Sequence, residues 1–235
     1  MSFTQTLGWS LVNTGCRLLG TGGKYPVHKA IDPTHLEVLA DRDFQASVKE
    51  VADLTILDTA RLANLWSLVQ LTDPKGSIIE VGCYKGGSAL HLSNACKTRK
   101  IIVCDTFTGL ENVRSDVDSL FKRGMFHDAR AAEVAALFEE RKRDFVVLMG
   151  TFPGSMGGNA LGPISFAHVD CDVYASTLDS LNYIANWTLD RSLIVVDDYK
   201  REAVGVNKAV DSFLELHLAW RAFPLFPGQC LLVSH

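Results

Sequence analysis

The sequence predicts a doubly wound α/β fold with a mostly parallel sheet, and the pattern of apolar runs carries this prediction. From residue 77 onward, short runs that are nearly all apolar alternate with longer amphipathic stretches. A short, continuous apolar run is typical of a strand buried on both faces, and the amphipathic stretches are long enough to be helices. Strands of this kind separated by helices imply a parallel sheet that helices cover on both sides.

The predicted elements follow one another as strand, turn and helix. Residues 77–81 form the first strand, a glycine turn follows, and residues 88–95 form a helix that leads into a second strand at residues 100–104. This arrangement is a βαβ unit. The later strands are residues 145–148, 164–169 and 193–196, and the later helices are about residues 131–141, 176–186 and 206–218.

The end of the chain departs from this alternation. Residues 220–226 and 229–233 are predicted to be two strands joined by a tight turn at Pro227-Gly228, which makes this edge of the sheet antiparallel. A mostly parallel sheet that ends in an antiparallel C-terminal hairpin suits the Rossmann-like fold of class I methyltransferases.

The beginning of the chain has no strand-like alternation, and Leu62, Trp66 and Val69 recur at helical spacing. We therefore expect an N-terminal helical extension over residues 1–70 that caps the cofactor-binding edge of the sheet or supports dimerisation. A single catalytic domain over residues 71–235 follows it.

A second irregular region lies inside that catalytic domain. Residues 106–128 are polar and only weakly periodic. They are predicted to form a loop, or a loop with a helix inserted in it, just beyond the second strand, where long loops are often lids.

Composition excludes several classes of function. The chain has 235 residues, a formal net charge of -4 and scattered basic residues, so it lacks the basic stripe of a nucleic-acid-binding protein. Its six cysteines form no C-x-x-C pair, which argues for a reducing compartment and against zinc. We also find no signal peptide and no apolar run long enough to cross a membrane. The sequence therefore predicts a soluble cytoplasmic protein without nucleic-acid or membrane partners.

A glycine-rich turn and an acid point to the cofactor. The segment EVGCYKGGS at residues 80–88 follows a strand and opens a helix, but it is not the G-x-G-x-x-G motif of dinucleotide sites. Glu80 would repel a pyrophosphate and suits a cationic amino group, while Asp105 ends the second strand, where a carboxylate accepts hydrogen bonds from ribose hydroxyls. We therefore predict S-adenosylmethionine (SAM) binding through Glu80, Gly82, Ser88 and Asp105. The alternative is a plain βα turn beside a strand-end acid.

Four aspartates follow two other predicted strands. Asp170 and Asp172 come after residues 164–169, and Asp197 and Asp198 come after residues 193–196. Both strand ends open on the same edge of a parallel sheet, so the four carboxylates would repel one another unless a cation were present. Oxygen ligands in such a cluster suit Mg²⁺. The alternative for the Asp197-Asp198 pair is a helix N-cap followed by a first-turn acid.

These residues, in this order, resemble the macrocin O-methyltransferase family, whose members methylate sugar hydroxyls in macrolide and aminocoumarin antibiotics. The similarity runs from about Thr55 to the C-terminus. It includes Arg61-Leu62, residues 80–88, 105–110, 150–152, 170–177 and 197–199, and then Gly205 and Ala209-Val210. The first 50 residues and residues 121–127 depart from the family pattern.

The resemblance implies roles for individual residues. The metal ligands would be Asp170, Asp197 and Asp198, and Asp172 would be the general base. Further cofactor-binding residues implied by the matching segments are Thr55, Tyr84, Gly87, Thr106, Phe107, Gly150, Thr151, Phe152 and Asp170. The resemblance also implies a mobile lid, a homodimer and a place in antibiotic biosynthesis.

The predicted function is a SAM- and Mg²⁺-dependent O-methyltransferase that acts on a hydroxyl of a small, sugar-like molecule. A catechol-type enzyme is one alternative, but such enzymes generally place a lysine near the first metal aspartate, and no lysine lies between Asp170 and Asp198. A SAM-binding protein without catalysis is the other, and the retention of all four aspartates argues against it. Two histidines carry weaker signals: His168 suits a core histidine or a site residue, and His127 lies in the predicted lid.

Overall fold

The computed structural model describes residues 33–157, 161–199 and 204–234. The chain divides into two compact units, Met1–Asp41 and Arg42–His235. Within the first unit, the described residues form one helix, α1 (Pro33–Ala40). Helical structure predicted for residues 1–32 lies outside the described residues.

The second unit is built on a seven-stranded sheet with the order β3-β2-β1-β4-β5-β7-β6. Strands β1 to β5 are parallel, and β7 pairs antiparallel with both β5 and β6. The strands are β1 (Ser77–Val81), β2 (Ile101–Asp105), β3 (Phe145–Met149), β4 (Ile164–Val169), β5 (Thr188–Val196), β6 (Trp220–Leu225) and β7 (Gln229–Ser234). This topology confirms the predicted fold class, including the antiparallel C-terminal hairpin.

Helices connect the strands and precede the first one. They are α2 (Arg42–Val51), α3 (Thr59–Val69), α4 (Gly87–Ala95), α5 (Ala131–Glu140), α6 (Tyr174–Ile184) and α7 (Val204–Leu216), with short 3₁₀ turns at Gly154–Met156 and Ala185–Trp187. Residues 106–128 contain neither helix nor strand, so the segment predicted as a lid is a loop. We call residues 106–128 the lid loop below.

The largest difference from the predicted elements is the start of β5. The strand begins at Thr188, which pairs with Ile164 of β4, whereas the sequence predicts a start at residue 193. Asp190 and Arg191 are exposed in this part of the strand. A search for buried apolar runs therefore misses it, because solvent-facing strand residues need not be apolar.

Apolar packing on both faces of the sheet explains why the strands are nearly all apolar. Ile78 and Ile79 of β1 are both 0% exposed although they point to opposite faces. Helices α2 and α3 belong to the same packing, since the rings of Phe44 and Trp66 meet at 5.7 Å and both contact His91 of α4. The compact unit that contains the sheet begins at Arg42. The division near residue 70 into a helical extension and a catalytic domain stays a prediction.

The order of the strands places a crevice above the middle of the sheet. Strand β1 lies between β2 and β4, so the connections that leave β1 and β4 run in opposite directions, and ligands bind at such switch points. Gly82 permits the closest approach there, because a Cβ atom at this residue would lie 1.8 Å from the carbonyl oxygen of Asp170. None of the helices within the described ranges is long and apolar enough to span a membrane.

Candidate active site

A cleft opens at the carboxyl ends of the five parallel strands. Its walls come from the loops after these strands, from the segment before α3 and from the lid loop. The lining residues that the sequence predicts to bind the cofactor are Thr55, Gly82, Tyr84, Ser88, Asp105, Thr106, Gly150, Thr151, Phe152 and Asp170. The structure therefore brings most of the predicted cofactor residues to one cavity.

Three predicted cofactor residues do not line this cleft. Gly87 packs against the backbone of Leu54, since a Cβ atom would lie 2.6 Å from the Leu54 carbonyl carbon. Phe107 contributes its backbone N–H, which donates to Asp105 Oδ1 at 2.9 Å. Glu80 is 0% exposed in the interior of the sheet. Their proposed contacts with a cofactor stay predictions.

The backbone holds the Asp105 carboxylate in a fixed orientation. Tyr84 N donates to Oδ2 at 2.8 Å and Phe107 N donates to Oδ1 at 2.9 Å. Burial raises the pKa of Asp105, and these backbone N–H groups only partly offset that effect. Each carboxylate oxygen keeps a further lone pair. This donor-acceptor arrangement fits the two hydroxyls of a ribose, so the residues present are compatible with SAM.

Three of the four predicted aspartates form a cluster at the other end of the cleft. Carboxylate oxygens of Asp170, Asp172 and Asp198 lie within 4.8 Å of one another. Burial, followed by the charges of Asp198 and Asp197, raises the pKa of Asp172 to about 8. Burial and neighbouring carboxylates also raise the pKa of Asp170. A divalent cation would relieve this repulsion, and the oxygen ligands fit Mg²⁺. The donor set is thus compatible with the predicted metal.

Asp197 differs from the other three because buried side chains surround it. Arg61 Nη1 donates to Oδ1 at 2.5 Å, and Gln229 Nε2 donates to Oδ2 at 2.8 Å. Burial by itself would raise the pKa of Asp197, but His168 and Arg61 outweigh it and lower the pKa to about 2. Asp197 does not line the cleft, although its carboxylate lies within 4.8 Å of ligand atoms of His168 and Asp170. Its role as a metal ligand stays a prediction.

His168 connects this network to Glu80. Its Nδ1 lies 2.6 Å from Glu80 Oε1, and its Nε2 lies 3.4 Å from Asp197 Oδ2. Burial would lower the pKa of His168, but the bonds to Asp197 and Glu80 outweigh burial and raise it to about 10. The histidine is therefore both a core residue and a neighbour of the site. His127, in contrast, donates to the Gly124 carbonyl within the lid loop.

Arg61 and Glu111 also line the cleft, although the sequence did not predict them as site residues. Arg61 of α3 is 9% exposed and bonds to Asp197, and Glu111 of the lid loop accepts a hydrogen bond from Thr151 Oγ1. The Arg61 partner lies 136 residues away in the sequence. Local spacing cannot reveal a pair at that separation, which is why sequence reasoning missed it.

Two curated relatives are similar in sequence to this chain. One is the 8-demethyl-8-(2,3-dimethoxy-alpha-L-rhamnosyl)-tetracenomycin-C 4'-O-methyltransferase of Streptomyces olivaceus, which is 25% identical over 63% of this chain and 64% of that protein. The chain thus covers less than two thirds of that relative's length. The other is the demethyldecarbamoylnovobiocin O-methyltransferase of Streptomyces niveus, which is 24% identical over 72% of this chain and 74% of that protein.

A solved structure and a family model agree with these relatives. The O-methyltransferase NovP shares the fold, with a TM-score of 0.67 and 21% identity over 77% of this chain and 82% of that one. Residues 35–219 match the model described as macrocin-O-methyltransferase (TylF). The chain therefore belongs to the macrocin-O-methyltransferase family, which confirms the family predicted from the sequence.

Proposed function

We propose that this protein transfers the methyl group of SAM to a hydroxyl group of a sugar or a glycosylated natural product, with Mg²⁺ at the acidic cluster. One observation carries the proposal: a single cleft contains both the backbone-held Asp105 and the cluster of Asp170, Asp172 and Asp198. One cavity thus holds a carboxylate that could bind a ribose and an acidic cluster that could hold a divalent cation, and this combination suits methyl transfer from SAM to a hydroxyl. The rhamnosyl group in the name of one relative favours a sugar acceptor.

The chain's own residues would bind SAM along the middle of the sheet. Asp105 accepts hydrogen bonds from the ribose hydroxyls, and Gly82 lets the ligand lie close to the backbone. Ser88 lies in the first turn of α4 and lines the same cavity. Glu80 remains the proposed partner of the amino group, supported by an Oε2 atom that is buried and has no hydrogen-bond partner among the described residues.

The acidic cluster would prepare the acceptor hydroxyl. When bound, SAM supplies an electrophilic methyl group and Mg²⁺ supplies a Lewis acid that polarises a hydroxyl oxygen. Asp170 and Asp198 are the proposed ligands that face the cleft, and Asp197 is the proposed third ligand. Asp172 lies in the same cluster and takes the hydroxyl proton as the general base. Arg61 balances the charge of the Asp197-Asp198 pair, since it contacts both carboxylates.

The lid loop would close the reaction off from water. Gly109, Leu110, Glu111 and Phe126 of this loop line the cleft, and the Phe126 ring meets the Tyr84 ring edge to face at 5.7 Å. Exclusion of water strengthens the electrostatic interactions inside a site and prevents hydrolysis. We also propose that the protein is a homodimer and acts in antibiotic biosynthesis, as its family resemblance implies. Light scattering after size exclusion tests the dimer.

A product assay tests the activity. The purified protein is incubated with SAM and a panel of rhamnosylated natural products, with MgCl₂ or with EDTA, and the products are analysed by mass spectrometry. We expect a gain of one methyl group on the sugar in the presence of Mg²⁺ only. SAM binding without methylation of any hydroxyl acceptor would instead support a non-catalytic binding protein.

A further inference from the structure

The cleft has a polar end that the proposed reaction does not yet use. Strand β3 lies beyond β2 at the edge of the sheet, so the loop after β3 is the part of the cleft farthest from the acidic cluster. Thr151 of this loop and Glu111 of the lid loop both line the cavity. Thr151 Oγ1 donates to Glu111 Oε2 at 2.5 Å, and Thr108 Oγ1 donates to Oε1 through a long bond of 3.5 Å. Glu111 therefore keeps acceptor capacity for a ligand.

The direction of a bound nucleoside follows from the order of the strands. With the ribose on Asp105 at the end of β2, the methyl donor must point across β1 toward the acidic cluster after β4 and β5. The base leaves the ribose on the opposite side and must extend toward β3. Neighbouring strands lie about 4.8 Å apart, which is close to the distance from a ribose to the middle of its base. The outer edge of the base then reaches Thr151 and Glu111.

The Glu111 carboxylate at this end of the cleft favours a nucleoside base whose outer edge carries a hydrogen-bond donor. An ionised carboxylate only accepts hydrogen bonds, and the outer edge of adenine carries a 6-amino donor. The first three residues after β3, Gly150-Thr151-Phe152, carry no acid or amide side chain that could accept from this amine. We propose that Glu111 is the residue that recognises the 6-amino group of the SAM base. This inference rests on the proposed function, because it requires SAM in the cleft.

Two ligands that differ only at the 6-position of the base distinguish base recognition by Glu111 from a merely structural role of this residue. The parent and a Glu111→Ala variant are titrated by calorimetry with S-adenosylhomocysteine and with its analogue that has hydrogen in place of the 6-amino group. We expect the parent to prefer S-adenosylhomocysteine roughly 10- to 100-fold, the range for one hydrogen bond to a charged acceptor. The variant should bind the two ligands with nearly equal affinity. Glu111→Gln keeps an amide oxygen and should retain part of the preference.

The measured affinities decide whether Glu111 recognises the base or only holds the lid loop in place. If Glu111 only fastens the lid loop to Thr151, both ligands weaken together in Glu111→Ala and their affinity ratio stays at the parental value, which overturns the proposal. The control Glu139→Ala changes an exposed acid on α5 and should leave both affinities unchanged. A parent that binds S-adenosylhomocysteine without preference overturns the Glu111 assignment alone. A parent that binds neither ligand overturns the proposed function as well.

Discussion

The two ends of the cleft hold their carboxylates by different means. Asp105 is fixed by backbone N–H groups of Tyr84 and Phe107, which lie in adjoining loops. Asp197 is fixed by side chains of Arg61 and Gln229, which come from α3 and β7. The first arrangement depends on local chain conformation, and the second depends on the packing of distant elements. Substitutions at the Asp105 end, the nucleoside end, should therefore change cofactor binding alone. Substitutions at the aspartate cluster, the acidic end, should change metal binding, catalysis or stability, depending on the residue.

Metal removal should have the largest effect on turnover. It should impair the acidic end of the cleft without impairing cofactor binding at the other end. EDTA is expected to abolish methyl transfer and MgCl₂ to restore it, because the crowded carboxylates of Asp170 and Asp198 need a cation. Asp170→Asn and Asp198→Asn should mimic the chelator. Binding of S-adenosylhomocysteine, measured by calorimetry, should persist in EDTA. Full turnover in chelator would show that the acidic cluster is not a metal site.

Asp172→Asn tests whether Asp172 is the general base or a metal ligand. If Asp172 is the general base, kcat should fall roughly 10²- to 10⁴-fold, while Mg²⁺ affinity and the melting temperature stay near the parental values. Its position beside Asp170 and Asp198 also permits a ligand role, in which case Mg²⁺ affinity falls together with kcat. Asp179→Asn, at an exposed position of α6, is the matched control. Parental turnover in Asp172→Asn would remove this residue from the mechanism.

Asp105→Ala tests the nucleoside end. The loss of a charged acceptor that ribose hydroxyls share should weaken SAM binding roughly ten- to a hundredfold. Mg²⁺ affinity, measured by calorimetry without SAM, should not change, since Asp105 lies two strands away from Asp170. Tight binding of NAD and none of SAM by the parent would contradict the assignment of this end. A loss of Mg²⁺ affinity in the variant would contradict the independence of the two ends.

Gln229→Leu tests the side-chain support of Asp197 and should have the smallest effect on turnover. The substitution keeps a similar volume but removes a donor to a buried carboxylate, so we expect the free energy of unfolding to fall by about 1–3 kcal/mol. If Asp197 is a ligand, Mg²⁺ affinity should fall at least about tenfold, as is usual for the partners of metal ligands. Gln70→Leu changes an exposed glutamine just after α3 and is the control. Unchanged Mg²⁺ affinity would argue that Asp197 serves the fold alone.

Local sequence patterns were sufficient to predict the fold and the end of the cleft that contains Asp105. Apolar runs such as residues 193–196 predicted the parallel strands, because a strand buried on both faces is nearly all apolar. Gly82 and Asp105 could be placed from the strand-turn-helix context, since their roles depend on the backbone next to them. The start of β5 was missed because Asp190 and Arg191 face solvent.

The sequence by itself determined which acids follow which strands, and therefore that Asp170, Asp172, Asp197 and Asp198 share one edge of the sheet. Only the tertiary structure decided their environments. Asp197 turns to Arg61 and Gln229, while Asp172 joins the cleft. The physical reason is that the pKa and the partners of a buried carboxylate depend on side chains that are distant in the sequence and close in space. The spacing of apolar residues indicates which face of a helix or strand a residue occupies, but it does not indicate which side chains lie opposite that residue.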